Sequence, residues 1–277
     1  MTDSRWADEL AFATDLAHRA GEVLRTSYER VERIDYKSAR DVVTDVDYRS
    51  EALLLDAIRA RYPGDAILAE ESGAHRRTGY DGTAARRRWV LDPLDGTVNY
   101  ANGIPFFCVS IALVADGHPV VGVVYDPMRD DLYTATGDGP ALLDGEPALA
   151  SEKEALSDFV MSLTVIGRGG IGRERRIARR IRIPRRMGSA ALALAYVASG
   201  RFDACVQNGG ISPWDVAAAG LIAERAGATV TDIAGGPWWD DAKTGPNVSI
   251  VAAPQPHHGE LLTLLAAEGA TLQARRP

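Results

Sequence analysis

Apolar residues recur at helical spacing at the head of the chain. Trp6, Leu10, Ala13, Leu16, Ala17, Ala20, Val23 and Leu24 share one face and predict an amphipathic helix of about six turns. Residues 45 to 61 carry a second helical pattern. The pattern then shortens to strand-length apolar runs near 66–69, 88–91, 106–115 and 119–125. Asp116-Gly117 between the last two is a hairpin signal, because both residues tolerate the positive φ of a two-residue turn. Another short pair is expected to flank Gly137 to Gly139, and Leu142-Leu143-Asp144-Gly145 reads as one more strand and turn.

After about residue 150 strands and helices alternate. A strand is expected at Phe159 to Val165, helices near 172–181 and at 189–199, a strand at 203–206 and a helix at 214–226. Strands at Thr229–Thr231 and Val248–Ala252 and a helix from about 257 complete the pattern. Residues 1–148 are therefore expected to pack helices on a largely antiparallel sheet, and residues 149–277 to form an α/β half, a chain of mixed α+β and α/β class. There is no internal repeat.

At 277 residues with 46% apolar content the chain can bury a large core. A net charge of −7 argues against coating nucleic acid or an anionic membrane surface, so a phosphorylated ligand has to be drawn in by local cations. No apolar run approaches a membrane span and the N-terminus has no apolar signal region, which points to a cytoplasmic protein. Cys108 and Cys205 stand in strand-like apolar surroundings and are expected to be buried reduced thiols. The five histidines show no ligand spacing.

The chemistry concentrates in Trp89 to Tyr100, where Asp92-Pro93-Leu94-Asp95-Gly96-Thr97 follows an apolar run. Mg²⁺ takes oxygen ligands and keeps positions open for water and substrate. Asp92 and Asp95 supply such oxygens, and Pro93 and Gly96 are expected to turn the chain so that both carboxylates and the Leu94 carbonyl converge. Backbone N–H groups of Gly96 and Thr97 would then face a bound anion, the more so if a helix starts at Thr97. Five fixed residues in this pattern arise by chance in roughly one chain of this length in ten thousand.

The segment resembles the signature of the inositol monophosphatase family, Mg²⁺-dependent, lithium-sensitive phosphomonoesterases. Four further segments agree in order: Lys37-Ser38-Ala39-Arg40-Asp41 with Val43-Thr44 and Asp47, Glu70-Glu71-Ser72 after a strand, Gly188-Ser189-Ala190-Ala191, and Pro213-Trp214-Asp215 with Glu224-Arg225-Ala226-Gly227. The resemblance spans about residues 10 to 255 and implies the layered αβαβα sandwich of the inositol monophosphatase and fructose-1,6-bisphosphatase type. It further implies two or three Mg²⁺ held by Glu70, Asp92, Asp95, Asp215 and the Leu94 carbonyl, with Asp47 and Thr97 orienting and deprotonating the attacking water beside Glu70. On the substrate side it implies Asp95, Gly96, Thr97, Arg185 or Arg186, Gly188, Ser189, Ala190, Asn208 and Asp215. Asn208 stands where inositol-phosphate members carry an acid, which leaves inositol 1-phosphate, histidinol phosphate, fructose 1,6-bisphosphate and 3′-phosphoadenosine 5′-phosphate as candidates. Members of the family are commonly homodimers.

Arg168, Arg173, Arg175, Arg176, Arg179, Arg180, Arg182, Arg185 and Arg186 form a basic cluster in this acidic chain. Arg175, Arg179 and Arg182 are expected on one helical face. The cluster reads as a solvated face, as a funnel or second-phosphate site, or as a surface for RNA or the transcription machinery in a regulatory protein. Trp238 and Trp239 read as packing residues rather than a stacking platform.

Overall fold

The computed structural model describes residues 4–30, 33–38, 41–75 and 87–266. Ala39, Arg40 and the side chains of Lys37, Ser38 and Asp41, named above, lie outside the described residues.

Helix α1 (Ala7–Ser27) is followed by a two-stranded antiparallel ribbon, β1 (Ile34–Ser38) and β2 (Asp41–Thr44), that leads straight into α2 (Asp45–Arg61). Then come β3 (Ala66–Ala69), β4 (Gly73–His75), β5 (Arg87–Asp95), the short helix α3 (Thr97–Ala101), β6 (Cys108–Ala115), β7 (His118–Asp126), β8 (Asp131–Thr136), β9 (Ala141–Leu143) and β10 (Glu146–Pro147). Among the described residues these strands form one sheet in the order β10-β9-β8-β7-β6-β5-β3-β4, antiparallel except where β3 meets β5. The later elements are β11 (Val160–Val165), α4 (Gly170–Ala178), β12 (Ile183–Arg185), α5 (Ala190–Ala198), β13 (Ala204–Asn208), α6 (Pro213–Arg225), β14 (Thr229–Thr231), β15 (Ser249–Ala253) and α7 (His257–Ala266). They build a second sheet, β12-β11-β13-β15-β14, parallel on one side of β13 and antiparallel on the other.

Five layers result. Helices α1 and α2 cover one face of the large sheet, α5 and α6 fill the space between the two sheets, and α4 and α7 cover the far face of the second. Helix α5, sandwiched on both sides, is buried from Ala191 to Ala198 and has no polar stripe. Helix α6 lies so close to the large sheet that a Cβ on Gly122 of β7 would stand 2.7 Å from the Ala218 carbonyl oxygen. Both two-residue hairpins expected from Asp-Gly pairs are present, with φ of 49° and 82° at Asp116 and Gly117 and of 52° and 84° at Asp144 and Gly145.

Two expectations need correction. The chain does not turn at Pro93: β5 runs on through Asp95, and the break comes at Gly96, whose φ is 103°. Helix α4 ends at Ala178, so Arg182 lies beyond it and does not share a helical face with Arg175 and Arg179. Strands β4 and β12 and the β1–β2 ribbon go beyond the elements expected from the sequence: β4 is three residues long, Ile183-Pro184-Arg185 is an exposed edge containing proline, and each strand of the ribbon is five residues or fewer. Cys108 and Cys205 are buried free thiols, and burial pushes the Cys205 thiol up to about 12. Trp238 packs on Gly220 of α6, as a core residue does. No helix among the described residues is long and apolar enough to cross a membrane.

Candidate active site

Asp92 and Asp95 are three apart on one strand, a spacing that would send their side chains to opposite faces. In β5 Asp92 pairs with Ser110 and Asp95 with Cys108, so three steps on β5 match two on β6. The extra residue is a bulge, and it turns both carboxylates to the same side. Helix α2 secures the bulge, its buried Ser50 hydroxyl donating to the Pro93 carbonyl at 3.0 Å. Gly96 then closes the strand where any Cβ would meet the Phe106 carbonyl at 3.0 Å.

The third carboxylate comes from the other half of the chain. Asp215 is the third residue of α6, in a capping box with Ser212: its Oδ2 accepts the Ser212 N–H at 2.5 Å. Asp92, Asp95 and Asp215 each present an oxygen within 4.8 Å of the others. Glu70, just beyond β3, is not part of that tight group, but its charge acts on Asp92 and Asp215. Burial, then the charges of Glu70, Asp95 and Asp215, hold the Asp92 carboxyl well above the usual carboxylate range. Burial and the charge of Asp95 do the same to Asp215. Asp95 is also raised by burial, against the opposing effect of two bonds its Oδ2 accepts, from Ser189 Oγ at 2.5 Å and the Ala191 N–H at 2.7 Å.

Asp47 repeats the device at the start of α2. Its Oδ2 accepts the Thr44 N–H at 2.8 Å and the Thr44 hydroxyl at 2.5 Å, completing a capping box. Its Oδ1 lies 3.0 Å from Thr97 Oγ, which is also 3.0 Å from the Leu94 carbonyl. Asp47 is fully buried, not a solvated first-turn residue, and burial raises its pKa against the hydrogen bonds from Thr44 and Thr97. Helix α3 does begin at Thr97.

A cavity of about 310 Å³ opens over Asp95 and Asp215, walled by Gly188, Ser189, Ala190 and Arg186 and floored by Ser162, Thr164 and Gln207. Ser189 is less available to a substrate than the sequence implies, since it caps α5 by accepting the Leu192 N–H at 3.2 Å while donating to Asp95. Arg185 is not in this wall; its neighbour Arg186 is, paired with Glu174. Nor does Asn208 line the floor, for its amide reaches the Ile166 carbonyl at 3.3 Å while Gln207, one residue earlier, takes the cleft face.

The model of the inositol monophosphatase family matches residues 6–270, from before Asp47 to beyond Asp215. The chain belongs to that family. Similar relatives include "Nus factor SuhB" of Escherichia coli K12, 39% identical, the match taking in 82% of this chain and 86% of that protein. "Inositol monophosphatase 2" of Solanum lycopersicum is 36% identical, over 80% and 86%. Among solved structures, the extragenic suppressor protein suhB of Bartonella henselae superposes with a TM-score of 0.84 at 31% identity, covering 94% and 98% of the two chains. An inositol monophosphatase of Thermotoga maritima gives 0.82 at 32% identity over 93% and 96%.

Three residues of this inositol monophosphatase fold hold the site and were missed in the sequence. Glu51, 3% exposed, accepts the Glu71 N–H at 2.8 Å and so anchors the backbone beside Glu70. Ser50 holds the bulge. Asn99 donates to the Phe106 and Met187 carbonyls, both at 2.7 Å, and ties α3 to the segment carrying Ser189. Asp47, Ser50 and Glu51 are polar at helical spacing on α2, and that stripe was the available signal.

Three carboxylates at such range, Asp92 and Asp95 buried and Asp215 half-buried, suit a hard divalent cation, which neutralises their repulsion. The stability of the metal-free protein should therefore fall as pH rises from about 4, the unfolded carboxylate range. The folded state, its carboxyl pKa values raised, binds more protons than the unfolded chain, and this advantage disappears as pH climbs through the raised values. Thermal melts in EDTA across pH 4 to 8 should show a declining Tm, with Mg²⁺ flattening the decline. A rise with pH in EDTA would contradict the arrangement.

Proposed function

We propose that this chain hydrolyses a small phosphate monoester with Mg²⁺, inositol 1-phosphate first among the candidates. The observation that carries the reading is the convergence of Asp92, Asp95 and Asp215 within 4.8 Å beside the Asp47–Thr97 pair. Those carboxylates, with Glu70 and the Leu94 carbonyl, would hold the cation. When bound, it supplies Lewis acidity toward water and toward the phosphate and leaving-group oxygens.

The protein's own groups divide the remaining work. Thr97 Oγ accepts a hydrogen bond from the attacking water while its own proton lies toward Asp47 Oδ1, so Asp47 serves as the base through the hydroxyl. The N–H groups of Gly96 and Thr97 at the start of α3 would face a phosphate bound beside the carboxylates, and the rigid strand and helix ends would set the line of attack. Ser189 and the Ala191 amide fix Asp95, while Gly188 and Ala190 shape the leaving-group wall. Ser162, Thr164 and Gln207 offer neutral hydrogen-bonding groups to a leaving group rich in hydroxyls, which favours a polyol.

The test is kcat/KM for phosphate release from inositol 1-phosphate, histidinol phosphate, fructose 1,6-bisphosphate and 3′-phosphoadenosine 5′-phosphate. Mg²⁺-dependent turnover of inositol 1-phosphate is the expected result, and no release from any of the four would overturn the phosphatase reading. A second reading, action with the transcription machinery, is favoured by the identity to proteins named Nus factor SuhB and by the arginine cluster. Salt-dependent RNA binding that survives loss of the metal ligands would support it.

A further inference from the structure

A cavity of about 430 Å³, in the size range of small-molecule sites, lies at the far end of α6 from the cleft. It is lined by His118 and Pro119 at the start of β7, Glu224 in the last turn of α6, and Pro237, Trp238 and Trp239 in the segment after β14. Asp215 and Glu224 stand near opposite ends of that helix, roughly 13 Å apart along its axis at 1.5 Å per residue. The cavity is thus separate from the acids of the cleft. The two indoles meet at 63° with centroids 6.0 Å apart and form two walls of a corner. Trp238 presses a ring edge on Gly220 and is otherwise half-buried. Trp239 is 8% exposed, and its indole N–H has no acceptor among the described residues, so packing alone holds that ring.

The charge at this corner is of one sign. No lysine or arginine lines the cavity, and Glu224 makes no ion pair among the described residues. Arg225, the cation of the same turn, is directed to the Gly139 carbonyl at 2.6 Å. Asp232 adds negative charge to the loop, its Oδ1 accepting the Gly236 N–H at 2.7 Å. The C-terminal end of α6 carries the negative pole of the helix, which also favours a cation. Indole faces attract cations through the ring quadrupole, and aromatic corners beside a carboxylate suit alkylated ammonium groups. A hard metal ion fits poorly, since it takes about six oxygens and Glu224 is the single acid in the lining. We propose that this cavity binds a small organic ammonium ion from solution, its charge between Glu224 and the indoles and its alkyl groups against Trp238, Pro119 and Pro237. The site does not depend on the phosphatase reading, and it gives the tryptophan pair a role beyond packing.

Isothermal titration of the full chain, at constant ionic strength and in excess Mg²⁺ to engage the acids of the cleft, compares choline with 3,3-dimethylbutan-1-ol, its uncharged counterpart of the same shape. Choline should bind with a Kd of about 1 mM or tighter, and at least about tenfold better than the alcohol. Glu224→Gln, a change at an exposed position that leaves the fold intact, should weaken choline about fivefold, and Trp238→Leu about as much. Trp238→Phe, which keeps an aromatic face, should lose less than Trp238→Leu. Asp8→Asn, which removes an exposed charge on α1, should bind as the wild type does. Should Trp238→Leu fail to fold, Glu224→Gln against Asp8→Asn still decides the matter. No saturable binding of choline, equal binding of choline and the alcohol, or equal affinities in Glu224→Gln and Asp8→Asn would each overturn the site.

Discussion

Asp95→Asn is expected to lower Mg²⁺-dependent kcat/KM by about a thousandfold or more, roughly 4 kcal/mol of transition-state stabilisation. The direction follows from the hydrogen bonds. Oδ2 of Asp95 accepts from both Ser189 Oγ and the Ala191 N–H, so an asparagine must turn its carbonyl oxygen toward those two donors. Its NH₂ is then aimed at Asp92 and Asp215, presenting hydrogens where a cation needs an electron pair. Titration with Mg²⁺ should show weakened binding alongside the lost phosphate release. In EDTA at neutral pH, by contrast, the variant should melt higher than the wild type, since one of three mutually repelling carboxylates has been neutralised. A fully active variant that needs no metal would refute the assignment.

Asp47→Asn should be nearly as damaging to turnover and leave the metal in place. Loss of a positioned base costs about 10² to 10⁴ in rate. Here the asparagine oxygen would accept the Thr44 N–H to keep the cap of α2, and its NH₂ would point at Thr97 Oγ, reversing the polarity of the pair. Asp47 is outside the group of carboxylates that converge, so Mg²⁺ affinity should change by less than about threefold. Titration calorimetry and single-turnover phosphate release separate the two variants: Asp95→Asn fails in both, Asp47→Asn only in the second. Comparable loss of metal binding in both would merge Asp47 into the cation site and remove its role as base.

Much of this molecule is legible in its sequence, and the illegible parts share a physical cause. Helix α1 shows its period because one side faces water; the hairpins show theirs because few residues accept positive φ. At the starts of α2 and α6, Thr44 with Asp47 and Ser212 with Asp215 form capping boxes in the structure, so the rule for satisfying helix N–H groups also aims the functional carboxylates. What failed was the assignment of faces. A strand alternates at every residue, so the residue that takes the cleft face of β13 is Gln207 while Asn208, which the family motif singled out, faces away. The bulge in β5 belongs to the same class, since only the register against β6 reveals the extra residue that sets Asp92 and Asp95 side by side. Local sequence carries no record of that register.

Asp95 and the Ser189 hydroxyl that orients it are 94 residues apart in the chain. At a ribosome adding roughly 5 to 20 residues per second, the acidic bulge is made about 5 to 20 seconds before its partner exists. Through that interval the group of three carboxylates is incomplete, because Asp215 has not been made. A product cut short before α5 would lack Ser189, Ala191 and Asp215 together, and with them both the orientation of Asp95 and the third acid of the cluster.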